Sequence, residues 1–356
     1  MTNPQSIKAG IIGGAGYTGG ELLRVLLHHP HVEVAFVHSS SNAGKPLHAV
    51  HSDVLGDTTL HFSGEPLEIL LAQHQAHVLF LCVGHGEAIK FFAAHQIPSG
   101  VTVIDLSQDF RYADGENAAQ WLYGLPELNR SALASVREEG KNIANPGCFA
   151  TAIQLALLPL ARAGKLPPEV HLTGVTGSTG AGQRLSATSH FSWRTGNISV
   201  YKAFSHQHLR EVQASLQQSS SRHSHSQSPS TLHFVPMRGS FTRGILVSMY
   251  CRYDDSLEAA QTLYAEYYKE HPFVQCTFAG NGTESSIDAA LEAPDVKQVV
   301  GTNKCVLHVE KHGEMLFVVS VIDNLLKGAS GQAVQNMNLA FGFPEDAGLR
   351  LRGIGF

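Results

Sequence analysis

Charge is scarce in this 356-residue chain: only 15% of residues are Asp, Glu, Lys or Arg, and no long run of Lys and Arg occurs. With a net charge of -5 it carries no broad basic field for a phosphate backbone, so nucleic acid is not expected as a partner. Low charge beside 43% hydrophobic residues also excludes a disordered chain. Long apolar runs are missing too, since GILVSMYC and MLFVVSVI fall far short of the roughly 20 residues that a membrane span requires. The opening MTNPQSIKAGIIGG lacks a charged leader, a long apolar core and a cleavage site. A soluble, cytoplasmic protein without a membrane partner is the expectation.

Cysteine is sparse as well. The five residues Cys82, Cys148, Cys251, Cys276 and Cys305 are odd in number and have no close pairs, which argues against a disulfide framework or a zinc cluster, and no metal is expected. Four of them sit in strand-like surroundings and read as packing residues. Cys148 differs: it follows Asn145-Pro146-Gly147 and directly precedes the apolar helical pattern AIQLALLPLARAG. A thiol delivered by a turn to a helix start meets unpaired N–H groups, which favour a thiolate and can hold an oxyanion. Cys148 is therefore the candidate nucleophile.

The length suits two domains. In the first third, short apolar runs (KAGIIG, VEVAFVHS, AHVLFLCVG, VTVIDLS) alternate with amphipathic stretches, the pattern of a parallel sheet wrapped by helices. Longer alternating segments follow, EVHLTGVTGS, STLHFVPM, RGILVSMYCRY, KCVLHVEKHG and EMLFVVSVID, and indicate an α+β domain with a mostly antiparallel sheet. The Ser/His-rich stretch 217–230, with His223 and His225, reads as a surface loop. The late pattern GASGQAVQNMNLAFGF has helical spacing and could return to the first domain.

Gly13-Gly14-Ala15-Gly16-Tyr17-Thr18-Gly19 lies between the first strand and an amphipathic helix, and satisfies G-x-G-x-x-G. In that context Gly13, Gly16, Tyr17, Thr18 and Gly19 are candidate contacts to the pyrophosphate of a dinucleotide in a Rossmann-like domain. An NAD site would carry Asp or Glu at the end of the next strand; here the chain reads Val37-His38-Ser39-Ser40-Ser41-Asn42, with Lys45 close behind. Hydroxyls and an ammonium at Ser39, Ser41 and Lys45 suit a 2′-phosphate, so NADP is the expected cofactor. Downstream, Ser205-His206-Gln207-His208-Leu209-Arg210-Glu211 places a carboxylate one helical turn after His208. A distant Cys and His form a nucleophile and acid/base pair, whereas metal binding finds no third ligand by spacing.

The motifs GGAGYTGGELLR (13–24), DLSQDFR (105–111), YGLPELNR (123–130), NIANPGCFAT (142–151), TGSTGAG (176–182), HQHLRE (206–211) and DNLLKGASGQAVQNMN (323–338) occur in this order over nearly the whole chain. Together they resemble the N-acetyl-gamma-glutamyl-phosphate reductase family, related to aspartate semialdehyde dehydrogenase. The resemblance implies an NADPH-dependent reduction of an acyl phosphate to a semialdehyde in arginine biosynthesis, through a thioester on Cys148. It implies His208 as acid/base group supported by Glu211, Arg111, Arg184 and His206 toward the substrate, and Asn324 toward the cofactor. It further implies a homodimer or homotetramer, with a cofactor domain of 1–147 and 325–356 and a catalytic and oligomerisation domain of 148–324. Two departures stand out: the family's His-Arg-His-x-Pro-Glu reads HQHLRE here, and Arg184 is displaced by one position. Succinyl in place of acetyl, a phosphorylating dehydrogenase for aspartyl or carrier-linked aminoadipyl phosphate, and an NADP-sensing protein without turnover are the alternatives.

Overall fold

The computed structural model describes residues 6–112, 118–220, 230–278 and 294–353. The chain divides into two compact units, Met1–Gly147 with Ala329–Arg350, and Cys148–Gly328 with Leu351–Phe356. The first cut falls directly before Cys148. The second falls later than the expected Leu325, and the chain end also differs from expectation, because residues 325–328 and 351–356 group with the second unit. The turn after Asp323 explains the first shift: Asp323 Oδ1 accepts from the N–H groups of Leu325 and Leu326, and its carbonyl accepts from Gly328. Asp323 is itself clamped by Arg243 and the Gly301 N–H of the same unit. At the chain end, Gly353 runs against Val300 and Thr302.

The first unit contains β1 (Ile7–Ile12), α1 (Tyr17–Leu26), β2 (Val32–His38), β3 (Phe62–Ser63), α2 (Leu67–His74), β4 (Val78–Leu81), α3 (Glu87–Ala94), β5 (Thr102–Asp105), β6 (Trp121–Tyr123), α4 (Pro126–Ser135) and β7 (Asn142–Ala144). Its seven strands pair in parallel in the order β3-β2-β1-β4-β5-β7-β6. Parallel strands covered on both faces have no solvent side, and β4 and β5 are accordingly buried at every position. The DLSQDFR motif is a turn that ties itself together. Asp109 accepts from the N–H groups of Gly86 and Ala88 at the start of α3, and Asp105 accepts from both the N–H and the hydroxyl of Ser107.

Burial raises the Asp105 carboxyl to about 6, against the Ser107 hydrogen bonds and the Arg111 charge that favour its ionised form. A carboxyl whose folded pKa exceeds its unfolded value stabilises fully below about 3.9, and that contribution is lost as pH rises through about 6. Relative to the native protein, Asp105→Asn should therefore gain about 2.4 kcal/mol between pH 4 and pH 8. Urea unfolding at the two pH values measures this, and a pH-independent difference would contradict it.

The second unit begins with α5 (Cys148–Arg162), followed by β8 (Glu169–Thr176), α6 (Phe191–Arg194), β9 (Ser199–Val200), α7 (His208–Ser220), β10 (Thr231–Arg238), β11 (Ile245–Arg252), α8 (Leu257–Tyr268), β12 (Val274–Phe278), β13 (Cys305–His312) and β14 (Met315–Ile322). Its seven strands run β12-β13-β14-β11-β8-β10-β9; β8–β10 and β12–β13 pair in parallel and the remaining neighbours are antiparallel. Alternating burial along β8 and β11 matches the two-residue period read from sequence. The Ser/His-rich stretch is divided: residues 217–220 close α7, and 221–229, with His223 and His225, lie outside the described residues.

Helix α5 is buried from Phe149 to Ala161 and is apolar almost all round, Thr151 and Gln154 being its buried polar residues, as suits a central helix. Pro159 lies inside it and offers no N–H to the Leu155 carbonyl one turn back. The Tyr268 hydroxyl donates to that carbonyl at 2.5 Å, while Tyr264 donates to the neighbouring Ala156 carbonyl, for which Leu160 still supplies a helical donor. Tyr268→Phe should thus orphan a buried carbonyl and cost about 1–3 kcal/mol, more than Tyr264→Phe. Denaturant midpoints of the two variants test the ranking, and equal losses would contradict it.

The chain then returns through α9 (Ser330–Ala340) to the first unit, where it packs on α1 and α4. Its polar residues are buried as pegs. Asn336 donates to the Gly124 carbonyl and to Asn145 Oδ1, and Asn338 donates to the carbonyls of Glu345 and Ala347.

Candidate active site

At the carboxyl ends of β1 and β2 the glycine-rich turn and the Ser39–Lys45 segment lie side by side, because the N–H groups of Gly13 and Gly14 both donate to the His38 carbonyl. Gly13 has φ +75°, and a Cβ there would stand 2.6 Å from the Cys82 carbonyl oxygen, so only glycine turns the chain from β1 toward α1. Gly16 occupies the N-cap of α1 with no side-chain cap, and Tyr17 is exposed beside it. An uncapped helix start next to an open glycine presents backbone N–H groups to an anion. These residues fit the pyrophosphate of a dinucleotide.

The fit extends to a 2′-phosphate. Asn42 Nδ2 lies 3.5 Å from Ser39 Oγ and 3.2 Å from Ser41 Oγ, and Lys45 Nζ donates to Asn42 Oδ1 at 3.1 Å. This cluster of hydroxyls, an amide and an ammonium contains no carboxylate to repel a phosphate. Thr18 points the other way, toward the Cys82 thiol, whose pKa burial pushes up to about 12.

Cys148 is half-buried at the first residue of α5, and its Cβ stands where a side chain on Gly328 would collide, at 2.8 Å. Glycine at 328 therefore keeps the thiol's approach clear. The other cysteines are held as inert thiols: burial pushes Cys251 and Cys276 up to about 12, and Cys305 is buried beside the Ser320 hydroxyl at 3.6 Å.

The HQHLRE motif opens α7, which packs against α5, so that Cys148 and His208 are each the first residue of one of two adjoining helices. His206 is wedged among aromatic rings, with centroids 5.6 Å from Phe149, 5.7 Å from Phe234, 5.8 Å from Tyr201 and 4.7 Å from His208. Its Nδ1 accepts from the His208 N–H at 3.3 Å. Burial, helped by the Lys202 charge, lowers the His206 pKa to about 4, which keeps the ring neutral and its Nδ1 available as that acceptor. Glu211 is buried in the first turn of α7.

The remaining sequence-derived candidates are placed as follows. Arg111 is buried in the first unit, where Nε donates to the Asn145 carbonyl and Nη2 to the Leu106 carbonyl. Arg184 is exposed in the loop after β8. Asn324 belongs to the second unit; its Oδ1 accepts from the Gly244 N–H and its Nδ2 donates to Thr179 Oγ1. Sequence reasoning missed Tyr201 and Arg238. The Tyr201 phenol is raised to about 12, first by burial and then by negative charge on Cys148, with the Arg238 guanidinium opposing the rise. Nothing in the spacing of either residue marks it. Among the described residues no helix is long and apolar enough to cross a membrane, and no group of three or more His, Cys, Asp or Glu is placed to hold a metal ion.

Residues 8–136 match the family described as semialdehyde dehydrogenase, NAD binding domain, and residues 148–324 match semialdehyde dehydrogenase, dimerisation domain. The chain is 48% identical to an N-acetyl-gamma-glutamyl-phosphate reductase of Azobacteroides pseudotrichonymphae, over 98% of this chain and 100% of the relative. A protein of the same name from Bacteroides thetaiotaomicron is also 48% identical, with the same coverage. Among solved structures, aspartate semialdehyde dehydrogenase II from Vibrio cholerae, complexed with ASA, superimposes with a TM-score of 0.70 at 18% identity, covering 94% of this chain and 98% of that one. Aspartate semialdehyde dehydrogenase with NADP from Candida albicans gives 0.63 at 14% identity, covering 95% and 99%. At these identities the structures speak for the fold.

Proposed function

The chain belongs to the N-acetyl-gamma-glutamyl-phosphate reductase family of semialdehyde dehydrogenases, and from that premise we propose that it reduces N-acetyl-gamma-glutamyl phosphate to the gamma-semialdehyde with release of phosphate, in arginine biosynthesis. It is an oxidoreductase with a nicotinamide dinucleotide cofactor, for which the proposal names NADPH. The observation that carries this reading is Cys148, half-buried at the start of α5, which packs against the helix that His208 opens, while burial holds Cys82, Cys251 and Cys276 as thiols.

Cys148 Sγ attacks the acyl carbon and phosphate departs, leaving a thioester that divides one difficult reduction into two easier steps. N–H groups at the start of α5 stabilise the oxyanion that develops on the acyl oxygen. His208 takes up the thiol proton and returns a proton where negative charge collects, with Glu211 orienting its ring. His206 is the weaker candidate for that task, since its Nδ1 is occupied and its pKa of about 4 leaves it neutral. When bound, the reduced nicotinamide supplies the hydride that converts the thioester to the aldehyde level. Gly13, Gly16, Tyr17, Gly19 and the backbone N–H of Thr18, whose side chain is turned to Cys82, would hold its pyrophosphate, and Ser39, Ser41 and Lys45 its 2′-phosphate. The dimerisation-domain match supports assembly as a homodimer or homotetramer.

The test is a phosphate-dependent oxidation assay with N-acetyl- and N-succinyl-glutamate semialdehydes and aspartate semialdehyde. Highest kcat/KM on the N-acetyl compound is expected, and a preference for aspartate semialdehyde would overturn the reading. NADP should far surpass NAD, and Ser39→Asp should lower efficiency with NADP at least about 10-fold by setting a carboxylate against the phosphate. Equal use of both cofactors by the native enzyme would remove the 2′-phosphate assignment.

A further inference from the structure

We propose that Arg238, aligned by Tyr201, binds an oxyanion of the substrate, its phosphoryl group or its carboxylate, beside Cys148; the inference rests on the acyl-phosphate reading above. Arg238 closes β10, and its guanidinium lies 5.1 Å from the centre of the Tyr201 ring. Tyr201 stacks edge-on at 5.8 Å with His206, which in turn meets Phe149, the residue after Cys148. The Tyr201 phenol is hydrogen-bonded with the Arg238 side chain and feels the charges of both Cys148 and Arg238.

The polar inventory around Arg238 is unbalanced. Its Nε is buried without a hydrogen-bond partner, and no carboxylate pairs with it among the described residues. A second guanidinium adds to the excess: Arg194 is buried, and its pKa is lowered first by burial and then by the Arg238 charge. Each nitrogen of Arg194 already donates a hydrogen bond, Nε and Nη2 to the Thr188 carbonyl and Nη1 to the Arg238 carbonyl at 2.9 Å. It therefore braces the Arg238 backbone while the Arg238 side chain keeps donors to spare. By contrast, Arg243 in the turn before β11 is neutralised by Asp323.

Arg238 is half-buried, and a buried guanidinium donor left without an acceptor carries a desolvation cost of about 1–3 kcal/mol. An arriving anion offsets that cost, and a guanidinium fork matches both carboxylate and phosphate oxygens. The proposed substrate carries both kinds of oxyanion within a few bonds of the carbon that Cys148 attacks.

The test uses the full-length enzyme and its Arg238→Gln and Arg238→Lys variants, the latter retaining the charge if Gln proves unable to fold. Alkylation of Cys148 by iodoacetamide is followed by peptide mapping at constant ionic strength, with inorganic phosphate or glutarate as the competing anion. One of the two should slow alkylation of the native enzyme, and that protection should fall about 10-fold or more in Arg238→Gln and be partly restored in Arg238→Lys, the change expected on losing one charged hydrogen bond. Protection by phosphate assigns the phosphoryl group, and protection by glutarate the carboxylate. In the oxidation direction, the KM for phosphate or for the semialdehyde should rise correspondingly, with a smaller change in kcat. Lack of protection by either anion in the native enzyme, or unchanged protection and unchanged KM in Arg238→Gln, overturns the proposal. Absence of acyl-phosphate turnover in the native enzyme would instead defeat the reading on which it rests, since the alkylation result is independent of turnover.

Discussion

Cys148→Ser is expected to abolish reduction of the acyl phosphate, with a loss on the order of 10⁴-fold or more, while NADPH binding survives. The size of the effect follows from covalent catalysis, because a serine hydroxyl stays protonated at neutral pH and cannot form the thioester. No other cysteine can stand in: Cys82, Cys251 and Cys276 are pushed up to about 12 by burial, and Cys305 is buried. Iodoacetamide near neutral pH should accordingly modify Cys148 first, with inactivation tracking the modification. Acyl phosphate added without NADPH should protect the sulfur as a thioester. Undiminished turnover by the serine variant, or a protected thiol mapped to any of the other four positions, ends the case for Cys148.

His208→Asn should retain the fold and cofactor binding yet lose at least about 100-fold in kcat, the lower range for removal of a general acid/base. His206→Asn should cost less. The two imidazoles differ by environment rather than by chemistry. His206 is enclosed by Phe149, Tyr201 and Phe234, its pKa is lowered to about 4, and its Nδ1 receives the His208 N–H. A histidine whose folded pKa is depressed stabilises fully above about 6.5, and that contribution is lost as pH falls through about 4. Kinetics of the two variants at neutral pH separate the roles, and a larger loss in His206→Asn would exchange them.

Local patterns made much of this protein legible in advance. The strand, glycine turn and helix of residues 7–26 depend on backbone rules within one short segment, and the two-residue alternation of β8 and β11 is written in their side chains. The apolar length of α5 and the turn before it likewise mark Cys148 without knowledge of any distant contact. The long motifs are of another kind. DLSQDFR is recognisable as a string, but only the folded chain shows Asp109 capping α3 and Arg111 engaged by backbone carbonyls. Asn324 similarly reads as one more motif residue until Gly244 and Thr179 are found on its amide.

By itself the sequence determined the two sheet types and the dinucleotide turn, and it singled out the candidate nucleophile and the pair of histidines, because each rests on neighbours within a few residues. Tertiary structure alone decided which thiols are inert, which imidazole is neutral and where the return segment changes units. It also brought Arg238 onto the Tyr201 ring, by pairing β9 with β10, and seated His206 between Tyr201 and Phe149. Burial and unbalanced charge arise from residues far apart along the chain, and no spacing rule encodes the desolvation that sets a pKa or leaves a guanidinium without its anion.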